Sequence, residues 1–192
     1  MGFDLSLSSS TLSVLMKTAS SFIENHFLEC IQLIFMEYEL RRKDKAMPLE
    51  DAIAFLESSK VGRLAMALNN QPYVVPINYV YVDGKIYFHC AKEGKKIDYF
   101  TKNPNVCFEV DELISIRKGK DVCEWGVRYR SVIAYGTIRL LEDEKRKLEV
   151  MNRFVEKYAE GCEAPPVSAS MLTNVNVAEI TVERITGKQD LK

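Results

Sequence analysis

The sequence predicts a mainly β protein with peripheral helices, built around a six-stranded antiparallel β-barrel. Stretches rich in valine, isoleucine and aromatic residues follow one another with short turns between them, which is typical of hairpins and meanders. Strands and helices do not alternate regularly, and this disfavours a doubly wound parallel sheet. The six predicted strands cover residues 63–68, 72–82, 86–90, 106–110, 129–140 and 175–185.

The connections between these strands carry clear turn signals. Asp83-Gly84 predicts a two-residue hairpin turn, because both central positions of such a turn favour a positive φ. Residues 69–71, Asn-Asn-Gln, also predict a turn, and residues 112–126 predict a loop because their composition is charged and mixed. In the last strand the apolar alternation slips near residues 178–179, which predicts a β-bulge there.

Three helices are predicted beside the barrel. The first covers residues 48–60 and begins with Pro48, a residue suited to the first helical position. The second covers residues 95–103 and stops before Pro104, which cannot continue a helix. Asp143 is the expected cap of the third helix. The predicted apolar stripe of that helix consists of Leu148, Met151, Val155 and Tyr158.

Composition excludes several classes of protein. The chain has 192 residues, of which 47% are apolar, so we expect a globular domain with a real core. A net charge of −1 gives no general electrostatic basis for binding nucleic acid or an anionic membrane. Five scattered cysteines without a Cys-x-x-Cys pair favour a reducing, cytoplasmic setting, and two histidines without a Cys/His cluster predict no metal site. The standard dinucleotide, P-loop, zincin and serine-hydrolase motifs do not occur.

The N-terminal segment differs from the rest of the chain. Its apolar run, residues 27–35, is short and interrupted by polar side chains, so it does not predict a membrane span. We expect residues 1–35 to be an extension that is peripheral to the fold or not native to the protein. Residues 36–192 are then expected to form the domain.

The start of the second predicted helix is the strongest functional signal. Lys95 and Lys96 lie on its first turn, where the positive end of the helix dipole favours acidic side chains. Cations beside free N–H groups indicate a bound anion, and phosphate is the commonest one. Gly94 would let a ligand approach the backbone closely. The alternative is a pair of solvated lysines at a helix end.

Three further groups of residues are candidates for a binding site. His89 ends the strand that leads to the lysines, and it is either a structural hydrogen-bonding residue or a proton donor. Pro76 and Asn78 interrupt a strong strand, which indicates a barrel kink, exposed backbone groups for the edge of a planar ring, or both. Arg130 and Ser131 are either an exposed basic edge or a grip on an anion.

Together these segments resemble the pyridoxamine 5′-phosphate oxidase-like superfamily of FMN-binding split barrels, and within it most closely the nitroimidazole-resistance (Nim-type) branch. The likeness covers about residues 40–190. The segments that carry it are GRLA (62–65), PYVVPINY (72–79), YFHCAKEGKK (87–96), NPNVCFEV (103–110), YRSVIAYG (129–136) and ITGK (185–188).

The resemblance implies a split barrel and a homodimer with two FMN sites at the subunit interface. In this family the strand-to-helix lysines, here Lys95 and Lys96, hold the FMN phosphate. The strand around Pro76 would face the isoalloxazine ring. The cofactor-binding residues implied in this way are Arg63, Val75, Pro76, Asn78, His89, Cys90, Lys95, Lys96, Arg130 and Ser131.

The departures from the family pattern bear on function. Gly94-Lys95-Lys96 stands where the oxidases have Ser-Arg-Lys, and the C-terminal Trp and Arg pattern of the oxidases is missing. Oxidation of pyridoxamine phosphate is therefore the least favoured activity. His89 links the chain to the Nim-type branch, where it would be the catalytic proton donor. The resemblance implies an FMN-dependent oxidoreductase that reduces a small-molecule acceptor, possible acceptors including nitro groups. The alternative is a non-catalytic flavin- or haem-binding protein.

Overall fold

The computed structural model describes residues 40–164 and 167–191. The described residues from Arg42 onward form one compact unit. The predicted extension, residues 1–35, lies outside the described residues, so its boundary stays a prediction. In the described part, no helix is both long enough and apolar enough to cross a membrane.

The described residues form eight strands, three α-helices and three short 3₁₀ turns. The strands are β1 (Ala46–Met47), β2 (Val61–Leu68), β3 (Gln71–Asn78), β4 (Val80–Val82), β5 (Lys85–Cys90), β6 (Asn105–Arg117), β7 (Gly126–Leu140) and β8 (Asn176–Asp190). The helices are α1 (Leu49–Ser58), α2 (Lys95–Lys102) and α3 (Glu144–Tyr158).

All strands belong to one antiparallel sheet with the order β3-β2-β6-β7-β8-β5-β4, and β1 pairs with β8. The two edge strands, β3 and β4, are neighbours in the chain and are separated only by Tyr79. A sheet whose opposite edges are joined by one residue must curl back on itself. The result is an open barrel with a seam at Tyr79, which confirms the predicted antiparallel split barrel.

The strand count is eight where the sequence predicts six. The predicted strand 72–82 breaks at Tyr79, because its two halves pair with opposite ends of the sheet. The short β1 adds the other strand. Two other predictions are wrong. Part of the predicted loop 112–126 is a two-stranded ribbon, since β6 continues to Arg117 and β7 begins at Gly126.

The second wrong prediction is the position of the bulge, which is not near residues 178–179. The register shift in β8 falls at Glu183, between the partners of Tyr135 and Gly136. Residues 177–180 are all buried, because this part of β8 is covered on both faces. Apolar alternation is therefore lost there without any insertion in the strand.

Local turn and cap signals are confirmed. Asn69 and Asn70 have φ values of 50° and 60°, and Asp83 and Gly84 have values of 53° and 76°. These left-handed pairs are the geometry of two-residue hairpin turns. The carboxylate of Asp143 accepts a hydrogen bond from the Arg146 N–H at 2.9 Å, so the predicted cap of α3 is also confirmed.

The core lies inside the curled sheet and against the helices. Alternate residues of the central strands point inward and are buried: Leu64, Met66, Val106, Phe108, Val110, Val132, Ala134 and Ile138. Gly62 faces the Phe108 ring so closely that a Cβ there would lie 2.1 Å from its Cζ. The buried face of α3 is centred on Val150 and Phe154, one position away from the predicted stripe, whose members are only half-buried.

The seam is held by one hydroxyl group. The Tyr158 hydroxyl accepts a hydrogen bond from the Tyr79 N–H at 2.9 Å, and it lies 2.8 Å from the Tyr79 carbonyl and 2.6 Å from that of Lys60. The hydroxyl of the buried Tyr79 donates a hydrogen bond to the Leu56 carbonyl, and burial raises the pKa of this hydroxyl. Tyr158 therefore supplies the hydrogen bonds that a neighbouring strand would supply elsewhere in the sheet.

We expect Tyr158→Phe to lower the free energy of unfolding by about 1–3 kcal/mol, because the Tyr79 N–H loses its acceptor while the aromatic ring stays in place. Urea denaturation measures the change. The matched control is Tyr81→Phe on β4, whose hydroxyl makes no hydrogen bond within the described residues. An unfolding midpoint for Tyr158→Phe equal to that of the control would contradict the role given to this hydroxyl.

Candidate functional site

The first turn of α2 presents open backbone groups. Gly94 precedes the helix with a φ of 135°, a conformation that favours glycine, and a Cβ there would meet no atom within 4 Å. The Gly94 carbonyl accepts hydrogen bonds from the N–H groups of Ile97 and Asp98. The N–H groups of Lys95 and Lys96 have no acceptor among the described residues, as expected at a helix start.

The same turn carries two lysines whose ammonium groups lie over aromatic rings. Lys95 Nζ lies 4.5 Å from the centroid of the Tyr73 ring and 5.4 Å from that of Tyr99, and these two rings are 5.2 Å apart. Lys96 Nζ lies 5.8 Å from the Phe88 centroid. Within the described part of the chain, neither ammonium group forms an ion pair. Aromatic faces, not carboxylates, therefore position both lysines.

His89 and Cys90 end β5 close to this turn. His89 packs edge to face on Phe154 of α3, with ring centroids 5.2 Å apart. Partial burial lowers the pKa of His89, and the Lys96 charge lowers it further, so the two side chains interact. Cys90 is buried in the barrel, and burial raises the pKa of its thiol. Cys90 thus lies at the predicted place but is a packing residue on the inner face.

Arg63 forms a second polar group on the outer face of the sheet. It lies opposite Pro76 of the edge strand β3 and opposite Glu109 of β6. Its Nη1 donates to Glu109 Oε2 at 2.9 Å and to the Asp111 carboxylate. Burial raises the pKa of Glu109, and Arg63 opposes that rise. Ser131 pairs with Asp111 across β6 and β7, so it belongs to the same group.

The remaining predicted residues lie apart from both groups. Arg130 points to the face opposite Ser131, where its guanidinium lies 4.6 Å above the Phe55 ring and its Nε donates to Glu112 at 3.0 Å. Val75 packs against the core. The Asn78 amide donates to the Lys60 carbonyl at 3.3 Å.

The structure thus brings the predicted residues together in two clusters. The lysine cluster consists of Lys95, Lys96 and His89 with the rings of Tyr73 and Phe88. The arginine–acid cluster consists of Arg63, Glu109 and Asp111, flanked by Pro76 and Ser131. Sequence reasoning missed Tyr73, Glu109 and Asp111. The alternation of β6 would have placed both acids outward, but only the pairing of β2 with β6 brings them to Arg63.

The chain belongs to the pyridoxamine 5′-phosphate oxidase family, whose model matches residues 48–189. This confirms the resemblance found in the sequence. A curated relative, an uncharacterized protein from Rhizobium meliloti (strain 1021), is 32% identical over 90 residues, which are 47% of this chain and 58% of that protein. The chain therefore spans less than two thirds of the length of this relative.

Solved structures share the fold. A FAD-binding protein from Mesorhizobium loti is 29% identical, with a TM-score of 0.57 over 76% of this chain and 97% of that one. A candidate 5-nitroimidazole antibiotic resistance protein from Bacteroides thetaiotaomicron is 23% identical, with a TM-score of 0.64 over 74% and 85%. A flavocytochrome from Azotobacter vinelandii is 21% identical, with a TM-score of 0.70 over 80% and 73%.

Proposed function

We propose that this chain binds FMN and uses it to reduce a small-molecule acceptor. The observation that carries the proposal is the pair of lysines on the first turn of α2. They form no ion pair within the described residues, and the N–H groups of the same turn have no acceptor there. Family membership and the similarity to a FAD-binding protein support a flavin as the ligand. The lysine cluster supplies what the terminal phosphate of FMN needs, namely two positive charges and backbone donors at a helix start.

The two clusters fit a phosphate unequally. Lys95 and Lys96 are available to it, and the open space above Gly94 leaves room for its oxygens. Arg63 already binds two carboxylates, so a phosphate there would meet the negative charge of Glu109 and Asp111. We therefore place the phosphate at the lysine cluster. The outer face that carries Pro76 and Asn78 would receive the ring, as the family resemblance implies.

Flavin would supply the transfer of a hydride or of single electrons to the acceptor. The contribution of this chain would be to bind, orient and provide protons. His89 lies beside Lys96 and can hold a proton on its imidazole. Reduction of a nitro group consumes protons together with electrons, so an acceptor of this class needs such a donor.

The charge of Lys96 links cofactor binding to the protonation of His89. Without an anion, Lys96 contributes to lowering the pKa of His89 below its ordinary value of 6.5, which makes the imidazole a weak proton source at neutral pH. A phosphate bound at Lys96 would neutralise that charge and raise the pKa of His89. Bound flavin would thereby increase the protonated fraction of His89 at neutral pH.

The second candidate function is flavin binding without turnover, for storage or sensing. The packing of His89 on Phe154 favours it, because a histidine held against an aromatic ring is also a common structural element. Turnover and stability of the variant His89→Ala, described below, separate the two functions.

We also propose a homodimer. The ribbon, formed by residues 112–117 and 126–130, carries exposed apolar side chains, and Ile116 lies directly opposite Val127. Leu113 and Ile116 are 60% and 59% exposed. An apolar patch of this kind on a protruding strand pair is typical of a protein–protein contact. A second copy of the chain would cover the ribbon and complete the flavin site.

Replacing both Lys95 and Lys96 by alanine should weaken FMN binding by about 30- to 1,000-fold, or about 2–4 kcal/mol, because two charge-assisted contacts are lost. Fluorescence titration of FMN measures the affinity. The charge-matched control is Lys102→Ala with Lys145→Ala, which removes two exposed lysines elsewhere. Equal FMN affinity in the two double variants would refute the phosphate site.

His89→Ala should keep the melting temperature and most of the FMN content but reduce acceptor turnover by about 100-fold, the usual scale for a general acid. In the wild type, turnover should fall as pH rises through the pKa of His89, since only the protonated imidazole donates; in the variant this dependence should vanish. Loss of stability together with turnover would favour a structural histidine. Normal turnover would end the catalytic assignment.

Ile116→Glu should shift the protein from dimer to monomer and weaken FMN binding by about tenfold or more, because a ligand held by both subunits is linked to their association. Sedimentation velocity with and without FMN measures both effects. Leu191→Glu, which changes an exposed apolar side chain outside the ribbon, is the control. A monomer that binds FMN at full strength would argue against the shared site.

A further inference from the structure

Lys157, in the last turn of α3, has an unusual environment. Its Nζ is buried and has no hydrogen-bond acceptor in the described part of the chain. The nitrogen lies 4.2 Å from the centroid of the Tyr79 ring and 5.7 Å from that of Tyr158. Buried polar groups are rarely left without a partner, so this amine calls for an explanation.

The surroundings of Lys157 favour the uncharged amine. Burial lowers its pKa to about 8, and the Glu57 carboxylate on α1 opposes the shift. At pH 7 the fraction of free amine is then about 300 times that of a lysine with the ordinary value of 10.5. A free amine is a nucleophile, whereas an ammonium group is not.

An open cavity of about 480 Å³ adjoins this side chain, between α3 and the β4–β5 hairpin. Its acidic members are Glu57, Asp83 and Glu156, and its other basic member, Arg153, is paired with Glu156 at 2.9 Å. Asp83 is paired with Arg146, which lies beside the wall, at 3.4 Å. When Lys157 is uncharged, the three carboxylates still exceed these two guanidinium groups by one negative charge. This balance disfavours an anionic ligand and favours a neutral one, which Val80 and Val82 can contact with their apolar side chains.

We propose that Lys157 is a covalent site for small uncharged aldehydes, which it binds reversibly as an imine. Lys157 Nζ attacks the carbonyl carbon and a C–N bond forms. Glu57 takes one proton from the nitrogen and gives it to the carbonyl oxygen, which becomes a hydroxyl. Glu57 then takes the second proton from the nitrogen and gives it to that hydroxyl. The hydroxyl leaves as water, and a C=N bond remains; no oxidant or reductant is needed.

The contact between Lys157 Nζ and the Tyr79 ring explains how this buried amine becomes available to a ligand. A protonated Lys157 is held over the Tyr79 face by cation–π attraction. The uncharged amine lacks that attraction, and its flexible stem already lines the cavity. The nucleophilic form is therefore the form that is free to turn toward an entering ligand. None of the residues invoked belongs to the lysine cluster or the arginine–acid cluster, so the site is separate from the proposed phosphate site.

Reductive trapping tests the proposal on the full chain. The protein is incubated with propanal and cyanoborohydride, and peptide mass spectrometry measures the rate of propyl addition at each lysine. Lys145, an exposed lysine on the same helix, is the internal reference. We expect Lys157 to react at least tenfold faster than Lys145 at pH 7, with a rate that is half its maximum at about pH 8 and levels off above about pH 9 as the amine becomes free.

Two further comparisons test the parts of the mechanism. Glyoxylate, an aldehyde that carries a carboxylate, should react with Lys157 more slowly than propanal, relative to Lys145. Glu57→Gln should lower the plateau rate at pH 9, where the amine is free in both proteins. A Lys157 rate no greater than that of Lys145 would overturn the site. Preference for glyoxylate would overturn the choice of an uncharged ligand, and an unchanged plateau rate would overturn the role of Glu57.

Discussion

The closure of the sheet at Tyr79 is the constraint on which the rest of the structure depends. One residue joins the two edges of the sheet, so neither edge has a strand beside it at that point, and Tyr158 supplies the missing hydrogen bonds from α3. This fixes α3 over the seam. It also fixes β3, which carries Tyr73 and Pro76, and the β4–β5 hairpin, which ends with His89 and Cys90. The lysine cluster includes side chains of β3 and β5, and Lys157 lies on α3, so both sites use elements that meet at this seam.

Several cationic side chains on the sheet form ion pairs with carboxylates. Arg63 binds Glu109 and Asp111, and the buried Glu179 accepts from Lys85 and Arg139 at 2.8–3.0 Å. Such pairs connect neighbouring strands and leave little charge for a ligand. The two lysines of α2 and Lys157 differ, because none of them forms an ion pair within the described residues and each nitrogen lies over an aromatic ring. The functional proposals rest on these exceptions.

Local signals in the sequence predicted much of the fold, and contacts distant in sequence account for what was missed. The turn at Asp83-Gly84, the cap at Asp143 and the glycine before α2 need only short-range chemistry, so they could be read directly. The break at Tyr79 depends on which strands its two halves pair with. The acids beside Arg63 likewise depend on strand register, and the burial of the Lys157 amine depends on how α3 packs on the seam.

One face of α3 connects the two proposed activities. Phe154 packs on His89, and Lys157 and Tyr158 lie one turn further along the same helix. Residues three or four apart in a helix share a face, so these contacts are held by a single rigid element. A flavin phosphate that neutralises Lys96 would change the charge on His89, which presses on Phe154. A shift of α3 in response would reach the Tyr79 ring and the amine above it, so proton binding at His89 and aldehyde binding at Lys157 have a physical route for coupling.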